Sequence, residues 1–355
     1  MRPDWLQKKI TDHAALDGYI KPKLGDLLRL DSNENLTIPK KDVWRLVESG
    51  SDADLRKYPL GMTEKLIVAI EEHLGVPNGT VGVGSGSDQI LDLLISNFAT
   101  TKTRMLVCDP TFSFFEQRCR LYGIKTIKVP FTDNMKLSAD SISSKKADIL
   151  YLDVPNNPTG FAFTKKDLED LVRNFEGLVI IDEAYAEFGG YTLSTLAPKL
   201  DNLVVTRTFS KAYGMAGLRL GYLVTNTEFA DVFNRVIQYP YPVSTASIYA
   251  ALELLSNDVA IKQAQKTISQ IKSERARMLE SMRKYDTFDV FDSDANFILF
   301  DAHGASKRVH TALEEQGIEV RNLGRIGEHT GCLRVTVGTR EMNSKFLLAI
   351  RDLLQ

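Results

Sequence analysis

The chain has 355 residues, of which 43% are hydrophobic and 25% charged, a composition typical of a globular protein long enough for about two domains. Its formal net charge of −2 argues against binding to nucleic acid or to an anionic membrane, so small molecules are the expected partners. The three cysteines are too few for a disulfide framework or a metal site, and the amino-terminal residues lack the apolar core of a signal peptide, which predicts a cytoplasmic location.

The first two thirds of the chain alternate between strand and helix patterns. Residues 1–35 predict an arm or short helix that leads into a polar stretch, Leu30–Asn35, which has too many turn formers for the interior of a strand or helix. A helix over Glu64–Leu74 follows, and Gly75 is expected to end it. The predicted strands are then Val81–Gly84, Arg104–Val107, Lys125–Val129, Ile149–Val154, Leu178–Ile181 and Leu203–Thr206, and the predicted helices are Ser87–Phe98, Phe112–Tyr122 and Lys165–Phe175. This alternation predicts an α/β fold with a mostly parallel sheet flanked by helices.

The pattern changes after about residue 240. A long amphipathic helix is predicted over Ile261–Tyr285. Two apolar runs, Phe297–Phe300 and Leu333–Val337, then alternate with a helix near Lys307–Gln316 and a last helix that ends near Leu354. We therefore expect a large domain over residues 36–240 and a smaller α+β domain over residues 241–355.

A single lysine follows one of the predicted strands in a polar, glycine-rich stretch, Thr208–Tyr222. The apolar residues Leu203–Val205 place Lys211 just beyond the carboxyl end of a buried strand, where open α/β sheets bind ligands. The alternative interpretation is an exposed lysine in a loop, since most lysines are exposed.

Three more polar stretches follow apolar runs. Gly84–Asp88 could form an anion cradle at the start of a helix, with the side chain of Ser87 or Asp88 as the helix cap, or it could be a plain turn. The two prolines of Val154–Gly160 could hold a rigid loop that aims Asn157 at a ligand, or simply make a tight connection. Asp182 ends a buried strand and needs a cationic partner, unless it caps the next helix.

These stretches together contain a lysine for a Schiff base, an acid for a pyridinium nitrogen, and donors for a phosphate, which are the groups that pyridoxal 5′-phosphate requires. Over nearly its whole length the chain resembles the fold-type I pyridoxal-phosphate-dependent aminotransferases, and among them the histidinol-phosphate aminotransferases. The motifs that carry the resemblance are Leu30–Asn35, Tyr58-Pro59, Gly86–Asp88, Asp109–Phe112, Pro155–Gly160, Asp182–Tyr185, Ser210–Arg219, Ala295–Phe297 and Leu333–Gly338.

The resemblance implies a role for each residue of the cofactor site. Lys211 would form the Schiff base and transfer protons, and Asp182 would keep the ring nitrogen protonated. Tyr185 and Asn157 would bind the ring hydroxyl, and Phe112 would stack on the ring. The remaining cofactor residues are those around the phosphate, Gly86, Ser87, Asp88, Thr208, Ser210 and Arg219, and Tyr58, which would reach over from the other subunit of a homodimer.

The resemblance also implies a substrate pocket, to which the arm of residues 1–35 and the small domain contribute. Its candidate residues are Tyr19, Asn33, Arg321 and Arg334, of which Arg334 would clamp the carboxylate of glutamate or 2-oxoglutarate. The implied reaction interconverts histidinol phosphate and 2-oxoglutarate with imidazole-acetol phosphate and glutamate, by a ping-pong mechanism within histidine biosynthesis.

Two other activities and one binding function remain open at this point. An aromatic amino-acid aminotransferase and a threonine-phosphate decarboxylase share the same architecture. A ligand-sensing module of a transcription regulator is disfavoured, because only about thirty residues precede the first motif. The sequence departs from the family pattern at Leu36, usually proline, at Ser87, often alanine, and at Phe112, often tyrosine, and the first of these lies in a loop that helps to line the substrate pocket.

Overall fold

The structure is a computed structural model that describes residues 3–16, 18 and 26–353. Its strands are β1 (Leu28–Leu30), β2 (Val81–Gly84), β3 (Met105–Asp109), β4 (Thr126–Pro130), β5 (Ile149–Asp153), β6 (Leu178–Asp182), β7 (Leu203–Thr208), β8 (Gly221–Val224), β9 (Asp289–Val290), β10 (Phe297–Asp301), β11 (Ile318–Ile326) and β12 (His329–Thr336). Its helices are α1 (Asp4–Ala14), α2 (Lys40–Glu48), α3 (Met62–Leu74), α4 (Gly86–Phe98), α5 (Ser113–Leu121), α6 (Ala139–Ser143), α7 (Lys165–Asn174), α8 (Ala186–Gly189), α9 (Thr227–Val232), α10 (Thr245–Ser256), α11 (Asp258–Met282), α12 (Ser306–Glu315) and α13 (Arg340–Leu353).

The larger sheet has the strand order β2-β8-β7-β6-β5-β3-β4 within the described residues. Strands β3 to β7 are parallel to their neighbours, whereas β8 runs antiparallel to β7 and β2. Successive residues of β5 pack into different apolar clusters, Leu150 with α3, α7 and α10 and Tyr151 with α4 and α5, because side chains alternate between the faces of a strand. The prediction of a mostly parallel sheet flanked by helices is confirmed.

The smaller sheet has the order β1-β11-β12-β10-β9 within the same residues. Its strands pair antiparallel except for β1, which lies parallel to β11 and pairs Leu30 with Val320. Neither β1 nor β11 was predicted. Leu30 therefore ends a strand, and the polar stretch without regular structure begins only at Asp31.

The longest helix, α11, begins three residues before its predicted start. The side chain of Asn257 caps it by accepting hydrogen bonds from the amides of Val259 and Ala260, at 3.0 and 3.2 Å. One face of α11, including Ile271 and Met278, packs into the apolar cluster of the smaller sheet. In the described part of the chain, neither α11 nor any other helix is long and apolar enough to cross a membrane.

Helix α10 packs on the larger sheet rather than on the smaller one. Its residues Ile248, Ala251 and Leu254 belong to the same apolar cluster as α3, and a Cβ at Gly50 would lie only 2.8 Å from the ring of Tyr249. The boundaries at residues 35 and 240 remain a prediction.

Candidate active site

A cavity of about 640 Å³ lies beyond the carboxyl ends of β3, β5, β6 and β7 and is closed on another side by β11 and β12. Parallel strands present their loops at one edge of a sheet, so residues far apart in the chain meet here. The predicted site residues that line the cavity are Asn33, Ser87, Asp88, Phe112, Asn157, Asp182, Tyr185, Thr208, Ser210, Lys211, Arg219, Arg321 and Arg334. Tyr19 lies outside the described residues.

Lys211 is half-buried in the loop after β7. The Thr208 hydroxyl accepts a hydrogen bond from the amide of Ser210 at 3.1 Å, which turns the chain where the strand ends. The ammonium group of Lys211 donates to the Ser32 carbonyl at 3.0 Å and lies 5.8 Å from the centroid of the Tyr185 ring. The alternative of an exposed loop lysine is therefore wrong.

Asp182 is buried at the end of β6, with 3% of its surface exposed. Its carboxylate accepts hydrogen bonds from the hydroxyls of Tyr151 and Thr206 and from the amide of Ala184, each at 3.2 Å. Burial raises the pKa of Asp182 to about 7, and the charges of Asp153 and Asp88 add to the shift. Asp182 does not cap a helix, since α8 begins at Ala186 and its cap residue is Tyr185.

The polar stretch Asp31–Asn35 supplies one wall of the site. Asn33 has a left-handed φ of 56° and donates through its side-chain amide to the Tyr185 hydroxyl at 3.0 Å. The Arg334 guanidinium donates to the Asp31 carbonyl at 2.8 Å and to the side-chain oxygen of Asn157. Residues near the amino terminus are thereby joined to those of β12 around one cavity.

The start of α4 lies close to Arg219 and to the first residue of β8. A Cβ at Gly86, where φ is 78°, would lie 2.8 Å from Nη2 of Arg219, and a Cβ at Gly221 would lie 2.3 Å from the Ser87 nitrogen. Arg219 pairs with Asp88 at 2.8 Å. The predicted cap is wrong, because α4 is preceded by Ser85 and no side chain caps it. Gly86 does not line the cavity but shapes the turn beside it.

Two arginines face each other across the antiparallel pair of β11 and β12. Arg321 and Arg334 are register partners, and both line the cavity. Like charges directly opposite each other in a sheet are unfavourable, and a bound anion would relieve their repulsion. This pair makes one side of the cavity suited to a carboxylate or a phosphate.

Tyr58 is not part of this cavity. Its side chain is 71% exposed and its ring stacks on Tyr241, with the ring centroids 4.4 Å apart. Its predicted role in a partner's site remains a prediction.

Asp153 was not predicted as a site residue, although it ends β5 as Asp182 ends β6. The two aspartates are register partners on neighbouring strands. Burial raises the pKa of Asp153 to about 6, although hydrogen bonds from Asn157, Thr111 and Asn156 lower it. The signal was present in the sequence, since an acid follows the apolar run Ile149–Leu152. The sequence could not indicate that Lys211 contacts the Ser32 carbonyl, because every residue has a backbone carbonyl group.

The family model described as aminotransferase class I and II matches residues 25–350. A histidinol-phosphate aminotransferase of Caldanaerobacter subterraneus subsp. tengcongensis is 31% identical over 331 residues, which are 92% of this chain and 93% of that protein. The crystal structure of the histidinol-phosphate aminotransferase from Clostridium acetobutylicum is 25% identical, with a TM-score of 0.83 over 92% of this chain and 99% of that one. The enzyme from Sinorhizobium meliloti in complex with pyridoxal-5′-phosphate is 20% identical and shares the fold, with a TM-score of 0.83 over 96% of this chain and 100% of that one.

Proposed function

The chain belongs to the class I and II aminotransferase family and is a pyridoxal-phosphate-dependent aminotransferase, and from this premise we propose that it interconverts histidinol phosphate and 2-oxoglutarate with imidazole-acetol phosphate and glutamate. The observation that carries the proposal is the pair of opposed arginines, Arg321 and Arg334, on one side of the cavity. Histidinol phosphate and glutamate both bear an anionic group for such a pair. The reaction would serve histidine biosynthesis in the cytoplasm.

The residues of the cavity fit pyridoxal phosphate. Gly86 lets Arg219 approach the start of α4, and Gly221 lets β8 approach the Ser87 amide, so that Arg219 and the first amides of α4 lie together where an anion would bind. The buried carboxyl group of Asp182 has a pKa of about 7. It would therefore share a proton readily with the ring nitrogen of the cofactor. The fit thus rests on the close approach of Arg219 and β8 to the start of α4, which a Cβ at Gly86 or Gly221 would prevent, and on the buried acid Asp182.

Each residue would have a defined task around the cofactor. When bound, pyridoxal phosphate supplies an electron-withdrawing ring that stabilises negative charge at the substrate Cα. Asp182 would hold a proton at the ring nitrogen. Lys211 would bind the cofactor covalently and, once released by substrate, carry the proton to and from Cα. Thr208 and Ser210 would bind the phosphate with Arg219, whose fork can contact two oxygens at once.

The substrate side of the cavity would be held by the arginines. Arg334 is oriented by Asn157 and by the Asp31 carbonyl, which would present its guanidinium to an anion with little loss of side-chain entropy. Arg321 would supply a second positive charge to match a phosphate, which carries up to two negative charges. Glutamate and histidinol phosphate would use this site in turn, as a ping-pong mechanism requires.

We also propose a homodimer in which Tyr58 reaches the partner's cavity. Several large apolar side chains are exposed in two stretches that the Tyr58–Tyr241 stack joins, namely Leu55, Tyr58, Leu60, Val236, Tyr239 and Tyr241. Exposed apolar surface of this kind is typical of contact sites between proteins.

Half-reaction spectra test the substrate directly. The purified protein is mixed with histidinol phosphate, glutamate, phenylalanine or tyrosine, each alone, and the absorbance of the bound cofactor is followed. We expect histidinol phosphate and glutamate to convert it to the amine form. Conversion by the aromatic amino acids and not by histidinol phosphate would identify an aromatic aminotransferase, and carbon dioxide release from threonine phosphate without an oxo acid would identify a decarboxylase. Absence of a cofactor absorbance that depends on Lys211 would contradict the assignment of the lysine.

A further inference from the structure

Asp153 is a second buried acid beside the proposed cofactor site. Its side chain is 5% exposed and lines the cavity at the end of β5. Burying a carboxylate is costly unless hydrogen bonds compensate for the lost water. The contacts of Asp153 therefore indicate what the residue does.

The Asp153 carboxylate accepts hydrogen bonds from two different segments. Oδ1 accepts from the Thr111 hydroxyl at 3.0 Å and from the Asn156 side-chain amide at 2.8 Å, and Oδ2 accepts from the Asn157 backbone amide at 2.7 Å. The Asn156 amide also donates to the Pro110 carbonyl at 3.2 Å, which ties the same two segments a second time. Phe112 directly follows Thr111, so the carboxylate joins the turn that carries Phe112 to the loop that carries Asn157.

We propose that Asp153 is a positioning residue of the cofactor site, whose carboxylate holds the turn of Phe112 and the loop of Asn157 in a fixed relation to each other. The inference rests on the proposed roles of Phe112 and Asn157. Asp153 acts through these neighbours, since its oxygens are occupied by their hydrogen bonds.

The position of Asp153 gives it an electrostatic effect as well. It is the register partner of Asp182, and after burial its charge is the largest contribution that raises the pKa of Asp182. The Asp153 carboxylate therefore orders two loops and also adds negative charge next to Asp182.

The Asp153→Asn variant removes the hydrogen bond from the Asn157 amide and keeps those from Thr111 and Asn156. The amide oxygen can still accept from Thr111 and Asn156, but its NH₂ group then faces the Asn157 amide, so two donors oppose each other. Thr111→Val removes only the hydrogen bond from the Thr111 hydroxyl to the carboxylate, and the bond from Asn156 to the Pro110 carbonyl remains. The matched control is Asp148→Asn, which changes an aspartate just before the other end of β5 that accepts a hydrogen bond from the Arg104 amide at 2.8 Å.

The measurements use the 355-residue chain with pyridoxal phosphate and do not depend on the substrate. For Asp153→Asn we expect the pyridoxal phosphate concentration at half-saturation to rise roughly tenfold, the effect of one lost hydrogen bond to a charged group. We also expect the visible circular dichroism per bound cofactor to fall markedly, because this signal reports how the ring is held. Thr111→Val should raise the half-saturation concentration and lower the dichroism by smaller amounts, and Asp148→Asn should change neither quantity.

Any of three results would overturn the inference. One is an Asp153→Asn protein with a lower unfolding temperature but wild-type half-saturation and dichroism, which would mean that the residue only stabilises the fold. If that variant does not fold, wild-type values of both quantities in Thr111→Val overturn it instead. A wild-type protein that binds no pyridoxal phosphate would contradict the proposed site, and the inference with it.

Discussion

Asp182 combines a requirement of the proposed chemistry with a cost to the fold. Its pKa of about 7 in the folded protein lies above its usual value of 3.8, so the folded protein binds this proton more tightly than the unfolded chain does. The stability that the group contributes is therefore complete below pH 3.8 and is lost as the pH rises through about 7. Above that pH the cofactor-free protein carries a buried charge.

We expect Asp182→Asn to stabilise the cofactor-free protein at pH 8 and to abolish transamination. The amide carries no charge to bury, and the gain should be on the order of 2 kcal/mol at pH 8 and close to zero at pH 4. Urea unfolding at both pH values measures it. A wild-type protein more stable than the variant at pH 8 would contradict the raised pKa.

Arg321 is the residue whose change tests anion binding. We expect Arg321→Gln to raise the KM for histidinol phosphate by roughly 10- to 100-fold, the effect of one lost charge-assisted hydrogen bond. Steady-state kinetics measure the effect. Arg325→Gln is the matched control, since Arg325 also lines the cavity. Its guanidinium is exposed and lies 3.6 Å from the Glu328 carboxylate. Equal KM changes in both variants would refute a specific role for Arg321.

At the scale of elements, the site depends on how closely β8 approaches the start of α4. Gly221 begins β8 and pairs with Gly84 of β2, and a side chain there would meet the backbone of Gly86 and Ser87. The antiparallel strand β8 was not predicted, although it is the element that supports the turn before α4. Four residues next to a glycine-rich loop are too few for periodicity to identify.

We expect Gly221→Ala to weaken the binding of pyridoxal phosphate by at least tenfold and to lower the unfolding temperature. The added Cβ would lie 2.3 Å from the Ser87 nitrogen, so α4 must move away from β8 and open the cradle. Gly217→Ala is the control, because a Cβ there meets nothing within 4 Å. Cofactor titration and thermal unfolding measure both effects, and unchanged binding in Gly221→Ala would rule out the cradle.

At the scale of the whole molecule, the exposed Tyr58 ring predicts a site shared between subunits. Mixing Lys211→Ala and Tyr58→Ala chains should restore activity up to about a quarter of the wild-type value, because half of the dimers are hybrids and each hybrid has one intact cavity. In that cavity Lys211 is present and the partner's Tyr58 is intact. The control mixture of Lys211→Ala and Asp182→Asn restores nothing if each cavity takes both residues from one chain. No recovery in the first mixture would contradict the shared site.

The sequence by itself determined most of the strands, many of the helices and the type of chemistry. Apolar runs and helical periodicity are local properties, and a lysine, an acid and a glycine-rich turn after successive strands indicate a cofactor whatever their exact positions. Only the tertiary structure decided that Asp153 lies beside Asp182, that Arg321 opposes Arg334, and that Asn33 contacts Tyr185. Strand order and register bring the first two pairs together, and the loops after β1 and β6 bring Asn33 to Tyr185. These contacts join distant parts of the chain, and no local sequence pattern determines which strands become neighbours.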